Sequence, residues 1–137
     1  MERDQPHYIL TFDGGSKGNP GQGYGSYEIR TCDDRTRLER LEYSGMMTNN
    51  EAEYQTLIAG LEDIVKTVGI AGKDTRAYRV QVLGDSQLVI RQVTDEYKVK
   101  HPVMRDLHAK VKLLVKQFAS VQFKWHRREN SVRTLGH

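Results

Sequence analysis

Short apolar segments separated by turn-forming residues predict five β-strands. The segments span residues 8–12, 24–30, 38–44, 78–83 and 121–125. They contain many β-branched and aromatic side chains, and the fourth alternates between apolar and polar positions as a half-buried strand does. Asp33 and Asp34 favour a turn between the second and third segments. We therefore expect a sheet of five strands.

Apolar residues that repeat every three or four positions predict three helices. The first follows the N-capping residues 48–50, carries an apolar stripe from Tyr54 to Val68 and ends at Gly69. The second spans 86–93, and the third begins at Pro102, whose ring suits a first helical turn. The expected apolar face of the third helix consists of Val103, Leu107, Val111, Leu114, Val115 and Phe118. Strands before and after the helices predict an α/β fold with a mixed five-stranded sheet flanked by helices.

A glycine-rich segment at 13–21 joins the first two predicted strands, and its composition predicts a loop. The glycines at 21, 23 and 25 superficially resemble a dinucleotide-binding fingerprint. That fingerprint must open a helix, whereas this segment leads into a strand, so we reject a dinucleotide site. Glycines that allow the backbone to approach a ligand closely are the better interpretation.

Length and composition bound the class of protein. The 137 residues suffice for one domain, so we expect a single domain over 1–137. No apolar run approaches the roughly 20 residues of a membrane span, and acidic residues near the N-terminus argue against an export signal. Cys32 is the only cysteine, which excludes an internal disulfide and fits a reducing compartment. We expect a cytoplasmic monomer without a membrane contact or an obligate protein partner.

The net charge of +3 hides a division along the chain. Residues 1–96 hold 11 basic and 16 acidic side chains, a balance of −5, whereas residues 97–137 hold 10 basic and 2 acidic ones, a balance of +8. Such a division suits a cation in one region and a polyanion such as nucleic acid in the other. Solvated helix faces explain it equally well, so the charge alone does not decide the function.

Three carboxylates fall where predicted strands end or the first helix begins: Asp13, Asp85 and either Glu51 or Glu53. Taken singly, each has an ordinary role in a turn, a helix cap or a helix dipole. Together they would repel one another unless they held a cation, and carboxylate oxygens favour Mg²⁺ or Mn²⁺. Glu51 and Glu53 lie about 200° apart around a helix, so only one can join the cluster, and the helical pattern does not choose between them.

Three segments of the chain, in order, resemble the motifs of type 1 ribonuclease H. They are TFDGGSKGNPG at 11–21, TNNEAEY at 48–54 and GDSQLV at 84–89. The segment YKVKHP at 97–102 is similar to the compact prokaryotic branch that lacks a large basic protrusion. The resemblance extends over residues 8–130 and implies a ribonuclease H-like fold.

The resemblance implies a metal-dependent endoribonuclease that hydrolyses the RNA strand of RNA/DNA hybrids. It assigns Asp13, Glu53 and Asp85 as the catalytic, metal-binding carboxylates and leaves Glu51 as a surface acid. It also implies two Mg²⁺ ions per site, replaceable by Mn²⁺, roughly 3.5–4 Å apart at the scissile phosphate. The expected products carry 5′-phosphate and 3′-hydroxyl ends.

A second set of residues implied by the resemblance recognises the hybrid. Amide side chains suit the 2′-hydroxyls of the minor groove because each offers both a donor and an acceptor. The implied contacts are Gly14, Gly15, Ser16, Asn19, Thr48, Asn49, Asn50 and Gln87. Helix capping explains Asn49 and Asn50 equally well. Basic residues between 98 and 116 either bind phosphates or form a solvated helix face.

The C-terminal segment departs from the family pattern, which has a fourth carboxylate ahead of a supporting helix. Alignment on Asn130 places Thr134 where that aspartate belongs, and we expect the helix to be short or missing. Three explanations compete: Asn130 or Glu129 supplies an oxygen to the second metal, or that metal binds through Asp13, phosphate and water with slower turnover, or the altered segment impairs activity. The alternative function is therefore a weakened or inactive hybrid-binding module. A proton shuttle that helps product leave is one role for His126, but a histidine beside Trp125 in a strand is more often structural, so we expect a structural role.

Overall fold

The computed structural model describes residues 5–136 and contains five strands and four helices in that range. The strands are β1 (Tyr8–Lys17), β2 (Gly21–Thr31), β3 (Thr36–Met47), β4 (Arg79–Gly84) and β5 (Ser120–Trp125). The helices are α1 (Asn49–Ile70), α2 (Gln87–Val93), α3 (Pro102–Val115) and α4 (Arg128–Leu135), and a 3₁₀ turn spans Thr75–Ala77. The predicted α/β class is confirmed. None of these helices combines the length and apolar character needed to cross a membrane.

The five strands form one mixed sheet in the order β3-β2-β1-β4-β5. β1, β2 and β3 are antiparallel neighbours, whereas β1 with β4 and β4 with β5 are parallel pairs. In the central parallel ladder, Phe12 lies opposite Gly84. The residues that follow them, Asp13 and Asp85, therefore meet where the parallel β1–β4 ladder ends, at the edge where the crevice of a parallel sheet forms.

One face of α1 packs on the centre of the sheet. Its predicted apolar stripe is confirmed, since Tyr54, Leu57 and Leu61 are fully buried. Gly60 lets the helix approach β1, because a Cβ at that position would lie 2.6 Å from a methyl group of Leu10. Burial of each leucine side chain contributes about 1.5–3 kcal/mol. These contacts fix the position of α1 over β1.

The glycine-rich segment predicted as a loop is mostly strand. β1 continues to Lys17 and pairs with β2 from Gly21 onward, so only residues 18–20 form the turn. Close packing explains the glycines, because a Cβ at Gly25 would lie 1.9 Å from the Thr56 hydroxyl. The prediction was wrong because glycine composition indicates backbone freedom and does not indicate whether the backbone is paired.

Two details of the predicted helices were also wrong. α1 runs one residue past Gly69, and the chain turns at Gly72, whose φ is +72°. In α3, Val103 is 45% exposed, and Met104 is buried. Met104 lies seven residues before the buried Val111 and so shares its helix face, whereas Val103 lies to one side of it.

A hydrogen-bonded ion pair away from the crevice joins β2, β3 and α1. The Asp63 carboxylate accepts hydrogen bonds from the Arg37 guanidinium at 2.7 and 2.5 Å and from the Tyr27 hydroxyl at 2.5 Å. Thr67, one turn further along α1, donates to the same carboxylate at 3.2 Å. Burial acts to raise the pKa of Asp63, but these donors outweigh it and hold the pKa below its ordinary value. The fold thus stabilises this acid in its charged form.

The C-terminal helix expected to be short or missing is present as the eight-residue α4. Leu135 and Ser131 are fully buried, and the Arg40 guanidinium donates to the Leu135 carbonyl at 2.9 Å. Gly136 ends the helix in the left-handed conformation. α4 contacts β1 and β2, so it is anchored to the sheet.

Candidate active site

Three carboxylates meet at the end of the parallel β1–β4 ladder, beside the start of α1. Asp13 belongs to β1, Glu53 to the second turn of α1, and Asp85 follows β4. One oxygen from each lies within 4.8 Å of the other two. Glu51 instead lies in the first turn of α1, where its backbone N–H donates to the hydroxyl of the N-cap residue Thr48 at 3.2 Å. The structure therefore brings Glu53, and not Glu51, to the other two acids.

Backbone packing fixes the position of Glu53. The Gly14 N–H donates to Oε1 of Glu53 at 2.9 Å. A Cβ at Gly14 would lie 2.6 Å from the carbonyl group of Ala52, so only glycine lets β1 approach α1 this closely. Gly14 thus has a structural role at the site, and its contact with substrate stays a prediction.

The surroundings of Glu53 and Asp85 oppose the charged form of each carboxyl group, as the direction of each pKa shift shows. Burial, together with the neighbouring Asp13 carboxylate, raises the pKa of Glu53 well above its ordinary value. Burial and Asp13 also raise the pKa of Asp85. Oε2 of Glu53 and Oδ2 of Asp85 are buried, and neither accepts a hydrogen bond from the part of the chain that the structure describes. Three converging oxygen donors of this kind fit a hard divalent cation such as Mg²⁺ or Mn²⁺.

The segment from β5 to α4 places polar groups near Asp85, and sequence reasoning had singled out only His126 among them. The Trp125 indole N–H donates to the Asp85 carbonyl at 2.9 Å, and Nη1 of Arg128 lies 3.9 Å from Oδ2 of Asp85. The buried Ser131 hydroxyl lies 2.7 Å from Nε2 of His126, a contact that supports a structural role for this histidine. Burial lowers the pKa of His126, against the opposing effect of Asp85. No periodicity or motif marks residues that act through such contacts.

The candidates for a fourth ligand lie on α4. Asn130 is half-buried, and its backbone N–H donates to the Arg127 carbonyl at 2.9 Å. Glu129 is exposed, and it does not belong to the cluster of acids found within residues 5–136. The assignment of Asn130 as a metal ligand stays a prediction.

Amide and hydroxyl groups join the β1–β2 turn to the start of α1. Oδ1 of Asn49 accepts hydrogen bonds from the Ser16 backbone N–H at 2.9 Å and from the Ser16 hydroxyl at 3.0 Å. The Asn49 backbone N–H donates to Oδ1 of Asn19 at 3.1 Å, and Thr48 is the N-cap of the helix. These residues therefore have structural contacts, and their role toward nucleic acid stays a prediction.

A groove of about 310 Å³ lies beside this junction. Asn19, Thr48 and Asn50 line it, together with His101, which precedes α3. Gln87 is exposed at the first position of α2. Three of the predicted substrate contacts thus border one open groove, and Gln87 is free to contact a ligand.

Comparisons with known proteins bear on this site. The family described as reverse transcriptase-like matches residues 11–133. The bifunctional protein Rv2228c of Mycobacterium tuberculosis is 41% identical over 119 residues, which cover 85% of this chain and 30% of that protein. This chain therefore spans less than a third of the mycobacterial relative. The solved N-terminal RNase H domain of Rv2228c is 34% identical, with a TM-score of 0.81 over 94% of this chain and 88% of that one.

A second solved structure, LC11-RNase H1 in complex with an RNA/DNA hybrid, matches equally well. It is 32% identical, with a TM-score of 0.80 over 92% of this chain and 89% of that one. The chain belongs to the type 1 ribonuclease H family. The resemblance inferred from the three motifs is confirmed, as is the ribonuclease H fold. In this type 1 ribonuclease H, Thr134, the position at which the sequence alignment expects the fourth carboxylate, lies within α4.

Proposed function

We propose that this protein hydrolyses the RNA strand of RNA/DNA hybrids. The proposal rests on the cluster of Asp13, Glu53 and Asp85, which holds three carboxylate oxygens within 4.8 Å and leaves two buried oxygens without a hydrogen bond from the described residues. Like charges buried side by side destabilise a fold unless a ligand compensates them. Two bound Mg²⁺ ions, or Mn²⁺ in their place, would neutralise this charge and supply Lewis-acid stabilisation at the scissile phosphate.

The proposed reaction breaks the bond between phosphorus and the 3′ oxygen of the RNA strand. The oxygen of a water molecule joins the phosphorus, the 3′ oxygen leaves and takes up a proton, and the products carry 5′-phosphate and 3′-hydroxyl ends. Asp13, Glu53 and Asp85 act as the catalytic carboxylates and metal ligands, with Asn130 as the candidate fourth oxygen donor. Because β1, α1 and β4 are rigid elements, they hold these groups in place before substrate binds.

Recognition of the hybrid is assigned to the groups around the crevice. Asn19, Asn50 and Gln87 offer both donors and acceptors to 2′-hydroxyls in the minor groove, together with the main chain of 14–16. Thr48 and Asn49 lie at the start of α1, where backbone phosphate and sugar would pass. The complex of LC11-RNase H1 with an RNA/DNA hybrid supports this choice of ligand.

Cleavage of a labelled RNA/DNA hybrid tests the proposal. We expect cleavage in Mg²⁺ or Mn²⁺ and a rate lower by roughly 10²–10³-fold in Asp85→Asn, because one of the converging charges is lost. Asp106→Asn, which changes an exposed acid on α3, is the matched control and should cleave at the wild-type rate. Equal rates for wild type and Asp85→Asn would contradict the proposal.

A second candidate function is binding of the hybrid without cleavage. It is motivated by the segment after Asp106, which contains no aspartate, and by Arg128, which α4 places near Asp85 instead of an acid. This candidate predicts that wild-type protein retains a labelled hybrid but leaves it intact in every divalent metal. Detectable turnover by wild-type protein excludes it.

We also propose that residues 1–137 form a single domain that acts as a cytoplasmic monomer. The single domain is supported by the one sheet and one continuous core that the described residues share. Light scattering after size-exclusion chromatography tests the monomer, with a mass near 15.8 kDa as the expected result. A mass twice as large would contradict it.

A further inference from the structure

A side-chain hydrogen bond ties the last strand to one of the three acids. Trp125 ends β5, and its indole N–H donates to the backbone carbonyl of Asp85 at 2.9 Å. In the parallel ladder Trp125 lies opposite Gly84, and the next residue, His126, donates its backbone N–H to the Gly84 carbonyl at 2.9 Å. The consecutive carbonyls of Gly84 and Asp85 therefore both accept hydrogen bonds from the end of β5, the first from the His126 main chain and the second from the Trp125 indole.

The main chain of Asp85 has less support than that of the other two acids. Asp13 lies within the β1–β2 ladder, opposite Ser26, and Glu53 lies within α1. Asp85 follows the last residue of β4 and precedes Ser86, the N-cap of α2. The Gly84 and Asp85 carbonyls belong to the two peptide planes on either side of the Asp85 Cα, so holding both carbonyls fixes the direction of its Cα–Cβ bond and restrains the carboxylate.

We propose that Trp125 is a positioning residue for the metal site. Its indole N–H holds the Asp85 turn so that the Asp85 carboxylate stays aligned with those of Asp13 and Glu53. The side chain is 45% exposed, so core packing does not account for a tryptophan at this position. The inference rests on the proposed function, because it assumes that the three carboxylates bind divalent metal.

Trp125→Phe tests the bond because it keeps an aromatic ring and removes the donor. Partners that orient metal ligands typically change affinity or activity 10–100-fold, and a contact to a ligand's main chain belongs at the lower end of that range. We therefore expect Mn²⁺ binding, measured from the EPR signal of free Mn²⁺, to weaken about tenfold. The Mg²⁺ concentration for half-maximal cleavage should rise by the same factor, while KM for the hybrid and the melting temperature stay unchanged.

Tyr78→Phe is the matched control for this variant. Tyr78 immediately precedes β4, at the end of that strand opposite to Asp85. The variant therefore removes a polar atom from an aromatic ring that lies away from the Asp85 turn. Its Mn²⁺ affinity and Mg²⁺ dependence should equal those of wild type. A weakening in Tyr78→Phe as large as in Trp125→Phe would overturn the positioning role, because the effect would then not depend on the bond to Asp85.

A second measurement uses wild-type protein alone. Trp125 is the only tryptophan in the sequence, so its indole N–H gives a single cross peak in a ¹H–¹⁵N correlation spectrum. Titration with Mg²⁺ should shift that cross peak, and Asp85→Asn should abolish the shift. This readout needs neither cleavage nor a variant of Trp125, so it stays informative if Trp125→Phe folds poorly.

The possible outcomes separate the two proposals. If wild type binds Mn²⁺ but Trp125→Phe binds it equally well, or if Mg²⁺ leaves the indole cross peak unmoved, the positioning role is overturned and the proposed function stands. If wild type neither binds Mn²⁺ nor cleaves hybrid, the proposed function is overturned and the positioning role with it.

Discussion

Two carboxylates on the same helix lie in opposite electrostatic environments. Asp63 accepts hydrogen bonds from Arg37 and Tyr27, and its pKa is held below the ordinary value despite burial. Glu53, ten residues earlier on α1, is buried beside Asp13, and its pKa is raised. Oε2 of Glu53 accepts no hydrogen bond from residues 5–136. One acid is stabilised by the protein, and the other is left for a ligand to stabilise.

The difference shows that this fold can neutralise an acid and does not do so in the crevice. Arg37 reaches Asp63 from β3 with two short hydrogen bonds. Arg128, which pairs with Asp85, lies 3.9 Å away and its side chain is 74% exposed, so solvent screens most of its effect. Uncompensated charge of this kind lowers stability and is typical of functional sites. The following predictions test that contrast.

Glu53→Gln should separate activity from stability most strongly. The amide cannot supply the charge that the metal site needs, so we expect hybrid cleavage to fall roughly 10³-fold. The same change removes a buried charge, so the free energy of unfolding of the metal-free protein should rise by about 1 kcal/mol. Cleavage rates and urea denaturation in EDTA measure the two effects. Loss of both activity and stability would show that Glu53 is a structural acid like Asp63.

Local patterns in the sequence identify the acids of the crevice better than they identify the Asp63 ion pair. Asp13 and Asp85 each follow a predicted strand, so they were identifiable from position and composition. The helical period left Glu51 and Glu53 open, and the family motif was needed to choose Glu53. The Asp63 pair could not be predicted, because Arg37 lies 26 residues away on an edge strand and no local pattern joins them.

The glycine-rich segment and α4 also depend on contacts between residues far apart in the sequence, which local patterns do not reveal. Glycines favoured a loop at 13–21, but the reason for Gly14 is its contact with Ala52 on a distant helix. α4 lacks a strong apolar stripe, and it forms because Leu135 and Ser131 become buried against the rest of the fold. Tertiary contacts therefore determine the strand conformation of the glycine-rich segment and the formation of α4, and neighbouring residues in the sequence do not reveal these contacts.

Gly14→Ala should disturb the crevice by displacing β1 from α1. The added Cβ would lie 2.6 Å from the Ala52 carbonyl, and both partners are backbone. Such overpacking should destabilise the protein by about 3 kcal/mol and reduce cleavage, since the Gly14 N–H also holds Glu53. Gly69→Ala is the control, because nothing lies within 4 Å of a Cβ there and alanine favours helix. Equal melting temperatures for the two variants would contradict this explanation of Gly14.

Asp63→Asn should give the reverse of the result for Glu53→Gln. Loss of the charge weakens the bonds from Arg37 and Tyr27, so the free energy of unfolding should fall by about 2 kcal/mol. Hybrid cleavage at a temperature where the variant is folded should stay at the wild-type rate. Glu62→Gln, an exposed neighbour on α1, should change neither quantity. A large loss of cleavage in folded Asp63→Asn would mean that the two environments are coupled.

The two environments should also respond to pH in opposite directions. The folded pKa of Glu53 is raised, so its contribution to stability is present in acid and is lost as the pH rises through that raised pKa. The folded pKa of Asp63 is lowered, so its contribution is present at neutral pH and is lost as the pH falls through that lowered pKa. The free energy of unfolding of the metal-free protein should therefore be greatest at a pH between the folded pKa values of Asp63 and Glu53.

Urea denaturation at fixed pH values measures this smallest effect. From about pH 5 to pH 8 we expect the unfolding free energy of metal-free wild type to fall by about 1 kcal/mol, and Glu53→Gln to remove most of that fall. Mg²⁺ should reverse it in wild type, because a bound cation favours the charged carboxylates. Asp63→Asn should keep the fall above pH 5 and lose the acid-side decrease below about pH 4. If the unfolding free energy of Glu53→Gln fell as steeply toward pH 8 as that of wild type, the charge of Glu53 would not be the source of the lower stability.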